Sequence, residues 1–278
     1  MGTAKVRRRH SAFAACLASV VMAVGLAMVP AQAAEKTKYI ALGDSFAAGQ
    51  GAGPYLDGCY RSENAYSELA DEAKAINLVT NAACSGKTTS DVVNDQLRKL
   101  NKSTELVTIT AGGNNIGFGN IITSCGAALA GGTPGTGCGS AITFATSQIS
   151  GGQLYRDVVA MIEHVQAAAP NARIVVTGYP YLLDPIPAGQ TDQRSLFIYQ
   201  ATQLSDGLNG TIAKAAYNTG ATFIDVRPAF LGHGAMSRDP WINLILGGPT
   251  DPVSPDNFHP NAEGYEAYFA ALRAARVF

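Results

Sequence analysis

Metal-binding spacing is missing from this sequence. It holds no C-x-x-C pair and no cluster of His, Cys, Asp and Glu, so neither a metal nor another cofactor is implied. It has no internal repeat and no linker marking a second domain. Histidine is scarce beyond the first 34 residues, where only His164, His233 and His259 remain as candidates for a general base. A phosphate-binding loop is also absent. "SGKTT" imitates the tail of one, but Asn81 stands five residues before Gly86, where that motif needs glycine. The G-x-S-x-G elbow of the α/β-hydrolases is incomplete too, with Ala47 in place of its last glycine.

The opening segment reads as something to be removed. Lys5, Arg7, Arg8 and Arg9 precede an apolar run from Ala12 to Val29, which ends in "PAQAA" with Ala31-Gln32-Ala33 as an A-x-A site. That layout predicts a secretory signal peptide over residues 1–34. An uncleaved anchor is the alternative, since about 18 apolar residues can just span a bilayer. Removing this segment takes away four of the 20 basic residues and none of the 21 acidic ones, which leaves a net charge of −5. No basic stripe survives for nucleic acid or an anionic membrane. Four cysteines remain, and an even count in an exported chain predicts two disulfides. Of the three connectivities, Cys125–Cys138 closes a Gly-rich loop and is preferred, leaving Cys59–Cys84.

From residue 35 to 278, β-rich runs alternate with helical patterns about five times. Strands are predicted over 38–42, 76–83, 105–113, 172–180 and 221–226. Helices are predicted over 64–75, 90–100 (with Ser90 as N-cap), 154–169, 193–217 and 261–276. Residues 114–151, rich in Gly, Ser and Thr, read as an irregular excursion. Buried apolar strands joined by helices imply a single α/β domain, a parallel sheet covered on both faces. Ligands gather at the carboxyl ends of such strands.

Three polar, Gly-flanked segments follow strand ends: "GDSFAAG", "CSGKTT" and "GGNN". A fourth, "DNFHPNAEGY", precedes the last helix. Together they hold what acyl transfer needs. Ser45 is a nucleophile once a base takes its proton, and His259 is that base. Asp256, three residues earlier, can orient the imidazole, with Asp225 as a rival. Backbone N–H groups at Ser45 and Gly86 and the amide of Asn114 can hold an oxyanion. Ser45 sits where serine commonly caps a helix, so cap and nucleophile read as one residue. Asp44 reads as a brace for the turn.

In that order these blocks resemble the SGNH (GDSL-type) hydrolases, and the cysteine loops and "GGNNIGF" are most similar to their actinobacterial secreted esterase, lipase and phospholipase branch. The resemblance implies a three-layer, flavodoxin-like α/β/α fold, a Ser45 nucleophile, the Ser45–Gly86–Asn114 oxyanion hole, and His259 with Asp256. It also implies that a backbone carbonyl can replace the acid, as in some members of the branch. Asn115 departs from it, standing where the family usually has Asp. The expected activity is hydrolysis of carboxylic, lipid-like acyl esters by a secreted monomer through an acyl-enzyme. The alternatives are a small-acyl or carbohydrate acetyl esterase, and a non-catalytic extracellular binding protein on the same fold. Apolar "DPWINLILGGP", with Trp241 and Leu246, reads either as a satellite core or as a wall of the acyl pocket, which Tyr179 and Tyr181 can also line.

Overall fold

A computed structural model describes residues 1–2, 35–73, 75–245 and 254–278. The segment read as a signal peptide, apart from its first two residues, lies outside the described residues, and so does Leu246. The compact unit runs from Glu35 to Phe278.

Its centre is a five-stranded parallel sheet. The strands are β1 (Thr37–Gly43), β2 (Ile76–Asn81), β3 (Leu106–Thr110), β4 (Arg173–Thr177) and β5 (Thr222–Ile224), in the order β2-β1-β3-β4-β5. This is the doubly wound arrangement expected from near-continuous apolar strands. Successive side chains of a strand face opposite sides. Ile40 and Leu42 of β1, Val107 and Ile109 of β3, and Ile174 and Val176 of β4 enter one core. Tyr39, Ala41, Leu106 and Val175 enter the other.

Helices fill both outer layers. The short helices α1 (Ser45–Ala48), α2 (Tyr66–Asp71) and α3 (Thr89–Asp91) follow the first two strands. The second core packs α2 and the last helix, α8 (Ala262–Ala274), against the sheet. Between them α4 (Phe118–Cys125), α5 (Cys138–Ser150), α6 (Gln153–Ala168) and α7 (Gln193–Thr219) build the first core. On α6 the buried residues Leu154, Val158, Met161, Ile162 and Val165 recur at helical spacing. None of the described helices is long and apolar enough to cross a membrane.

Two sequence expectations change here. The segment 90–100 begins two residues earlier than predicted. Thr88, not Ser90, caps α3, and its hydroxyl and the Asp91 carboxylate satisfy each other's backbone N–H groups. The helix then widens into a π turn over Val92–Gln96. The excursion 114–151 is not irregular, since it carries α4 and α5. Its glycines and β-branched residues are poor helix formers. Burial of Ile121 and Ala145, and the disulfide joining the end of α4 to the start of α5, outweigh that propensity. Both disulfides form as preferred, Cys59–Cys84 and Cys125–Cys138.

Candidate active site

The sheet order reverses between β1 and β3, and that switch point is where doubly wound sheets open a crevice. Ser45 follows β1 there and Asn114 follows β3. The exit from β1 needs glycine. Gly43 has φ +132°, and a Cβ on it would lie 2.1 Å from the Thr110 carbonyl oxygen. The chain beyond β2 still pairs here, the Cys84 N–H donating to the Gly43 carbonyl at 3.1 Å, and the Gln96 side chain adds to that pairing. Its Oε1 accepts the Gly43 N–H at 2.8 Å and its Nε2 donates to the Gly43 carbonyl at 2.8 Å.

Asp44, not Ser45, is the N-cap of α1, because its Oδ1 accepts the Phe46 N–H at 3.0 Å. The serine is thereby the first helical residue, and its hydroxyl is free of capping duty. Ser45 Oγ lies 2.8 Å from His259 Nε2. On the other side of the ring, Nδ1 lies 3.1 Å from the Asn257 carbonyl. A carbonyl can only accept, so Nδ1 carries the proton and Nε2 presents its lone pair to the serine.

The expectation that Asp256 orients the imidazole is therefore corrected. Its carboxylate accepts a hydrogen bond from the Tyr55 hydroxyl, which itself accepts the Gly51 N–H at 2.9 Å. The rival acid, Asp225, is engaged by Arg227 at 2.7 Å. The reason lies in the backbone of the last block. Phe258 adopts φ +62°, rare for a bulky residue, and this turns the Asn257 carbonyl toward the ring. The Asn257 side chain anchors the same turn by exchanging two hydrogen bonds with the Ile245 backbone, at 2.7 and 3.0 Å.

His259 is buried, and burial pulls its pKa down to about 4, against opposing help from the Asn257 carbonyl and the Asp256 charge. Asp44 moves the other way. Burial pushes its carboxyl up to about 7, although Tyr179 and the Phe46 N–H both favour the charged form. Its Oδ2 accepts the Tyr179 hydroxyl at 2.5 Å, and that hydroxyl accepts the Gly113 N–H at 2.9 Å. A single phenol thus ties the serine block to the "GGNN" block.

The three expected oxyanion donors are each free to act. Among the described residues, neither the Ser45 N–H nor the Gly86 N–H has a protein acceptor. Asn114 donates one amide hydrogen to the Lys87 carbonyl at 2.9 Å, which leaves its second available. Asn115 keeps the loop pinned despite replacing the usual Asp. It accepts the Thr89 N–H at 3.1 Å and donates to the Thr89 hydroxyl at 2.8 Å.

Ser45 and Asn114 open onto a cleft of about 850 Å³, its mouth included. Gly86 is exposed and does not line it. The walls are apolar: Ile116, Phe118 and Ile122 on one side, Leu182, Phe197 and Leu208 on the other. Most come from α4 and α7; the sequence assigns neither as a wall, reading 114–151 as irregular chain. The apolar spacing of Phe118, Ile121, Ile122 and Cys125 was the available signal. Tyr179 and Tyr181 line this cleft as expected. Trp241 does not. It stacks on His233 at 3.5 Å and packs edge-on to Phe230, against the second core instead of a separate satellite. His164 is exposed on α6, away from the serine.

Residues 41–267 match the GDSL-like lipase/acylhydrolase family. The chain belongs to that family. As a GDSL-like acylhydrolase it is a carboxylic-ester hydrolase with a three-layer α/β/α fold. It is 33% identical to Lipase 1 of Streptomyces coelicolor, over 93% of this chain and 96% of that one. It is also 33% identical to a lipase of Streptomyces rimosus, over 96% and 99% of the two chains. The crystal structure of phospholipase A1 from Streptomyces albidoflavus superposes with a TM-score of 0.72 at 34% identity, covering 86% of this chain and 99% of that one. The extracellular lipase of Streptomyces rimosus superposes with a TM-score of 0.72 at 33% identity and the same coverage.

Proposed function

We propose that this acylhydrolase cleaves lipid-like acyl esters through a covalent acyl-enzyme on Ser45. The observation that carries this reading is the 2.8 Å contact between Ser45 Oγ and the unprotonated His259 Nε2, at the mouth of an apolar cleft. His259 takes the serine proton as Oγ attacks the ester carbonyl carbon. The Ser45 and Gly86 N–H groups and the Asn114 amide stabilise the oxyanion. The imidazolium then gives its proton to the leaving alcohol, and His259 next activates water to release the acid. The Asn257 carbonyl keeps the ring in the required tautomer throughout. The acyl chain lies along Ile116, Phe118, Leu182, Phe197 and Leu208, and the lipase and phospholipase names of the relatives support that occupant.

The same reading has residues 1–34 removed on export, supported by their layout, by the two disulfides and by the extracellular relative. Every proposed catalytic group comes from one chain, so the mechanism calls for no second copy, and the net charge of −5 without the leader speaks against nucleic-acid partners. The test is hydrolysis of p-nitrophenyl esters from acetate to palmitate by wild type and Ser45→Ala. The expected result is a rate optimum above the shortest chains and only background for the variant. Equal rates for both proteins would sink the mechanism, and an optimum at acetate would sink the lipid-like substrate.

A further inference from the structure

Gln50 touches both of the loops that must meet at Ser45. It stands five residues beyond the serine, just past α1, and its backbone N–H donates to the Ser45 carbonyl at 3.0 Å. Its side chain is 3% exposed. Oε1 accepts the Ser85 hydroxyl at 2.6 Å, and Nε2 donates to the Pro255 carbonyl at 2.5 Å. Ser85 immediately precedes Gly86, the oxyanion donor. Pro255 opens the turn that delivers Asn257 and His259, in which the Asn257 N–H donates to the Ser254 carbonyl and the His259 N–H to the Asp256 carbonyl, both at 3.1 Å.

In the arrangement present, these two partners call for a group that both donates and accepts, as a carboxamide does. The Pro255 carbonyl can only accept, so the bridging group must donate to it. The Ser85 hydroxyl, which faces Oε1, donates here, so the group present accepts from it. A buried bridging group left without either partner is costly. The Gly86 loop is otherwise held by the Cys59–Cys84 disulfide and by Asn114, and the histidine turn by Tyr55 and Asn243. Gln50 spans the two.

We infer that Gln50 is a positioning residue, fixing the Gly86 donor and the His259 base relative to Ser45. This rests on the proposed Ser45–His259 mechanism. Gln50 does not line the cleft, so its effect falls on the chemical step rather than on acyl binding. Misplacing one oxyanion donor costs less than the ~10²–10³-fold lost when a donor is removed outright, so about tenfold in kcat is expected.

The test uses the full chain with Gln50→Leu, Gln50→Glu and Ser85→Ala beside wild type and Ser45→Ala, measuring kcat and KM on one p-nitrophenyl ester from pH 5 to 9. Gln50→Leu should lose about tenfold in kcat with KM within about twofold. Gln50→Glu should lose as much at pH 9, where its carboxylate opposes the Pro255 carbonyl. Below its pKa the neutral acid has one donor and one acceptor, as the amide does. The Gln50→Glu to wild-type ratio of kcat should therefore climb as pH falls, and loss of packing alone gives no such recovery. A flat ratio, or a folded Gln50→Leu with wild-type kcat, overturns the inference. Should neither Gln50 variant fold, Ser85→Ala decides: a kcat several-fold lower at unchanged KM supports the bridge, and a wild-type kcat overturns it. An active Ser45→Ala would instead refute the underlying mechanism, which keeps the two failures apart.

Discussion

Replacing Asp256 with Asn separates two ways of orienting His259. The substitution keeps the shape and an oxygen that can still accept the Tyr55 hydroxyl, and it removes only the negative charge. If the carboxylate held Nδ1 directly, an amide there would favour the wrong tautomer and cost about 10⁴-fold in kcat. The structure puts the Asn257 carbonyl at 3.1 Å from Nδ1 instead. The Asp256 charge supports the imidazolium only through space, and less than that hydrogen bond does. A hydrogen bond to a charged group contributes about 1.5–3 kcal/mol, so the charge is worth roughly 1 kcal/mol. Its loss lowers kcat/KM about fivefold. The assay is kcat/KM on p-nitrophenyl butyrate at pH 8, with melting curves to establish folding. A loss above about 10³-fold in a folded variant would refute the carbonyl assignment.

Three further outcomes follow from the same geometry. Burial disfavours the imidazolium, so the acid limb of kcat/KM should fall near pH 4 instead of near the ordinary histidine value, and a midpoint between 6 and 7 would contradict it. Because His259 binds fewer protons folded than unfolded, the stability linked to it is present above about pH 6.5 and lost as pH falls toward 4. A His259→Gln variant should therefore melt progressively higher relative to wild type across that window. Opening Cys59–Cys84, which closes 25 residues, should cost about 3.5 kcal/mol by loop entropy, and opening Cys125–Cys138, which closes 13, about 3; an unchanged melting temperature for the paired serine variants would count against both.

What the sequence made legible was the chemistry carried by residue type at strand ends. Ser45, Gly86 and Asn114 stand just after predicted strands, and the structure brings Ser45 and Asn114 to one cleft, with His259 reaching the serine from the turn before α8. What stayed hidden depends on directions that spacing does not carry. Whether Nδ1 meets the Asp256 carboxylate or the Asn257 carbonyl is decided by the positive φ of Phe258, and nothing in "DNFHP" demands that φ. Helices α4 and α5 were obscured because their glycines and threonines are weak helix formers, held by packing and a disulfide instead of by propensity. Trp241 misled because an apolar run before the histidine block fits a pocket wall and a satellite core equally well. Tertiary packing on Phe230 and His233 sets it against the second core instead.

A neutral carbonyl in place of a carboxylate changes how the work is shared at this site. A buried imidazole with no anion on Nδ1 is a weak base, as the fall to about 4 expresses. In the proposed mechanism, taking the serine proton therefore creates a poorly stabilised imidazolium in the free enzyme. The charge that compensates it arises only as the reaction proceeds, when the substrate oxyanion forms beside it. If the proposed donors Ser45, Gly86 and Asn114 stabilise that oxyanion, they also stabilise the ion pair it makes with His259, so the proposed donors and base depend on each other more than in a site with a buried acid. Errors of position in the Gly86 loop should then show in both proton transfer and oxyanion binding at once. A single side chain linking that loop to the histidine turn suits such a site, because it controls the one separation on which both halves of the chemistry rest.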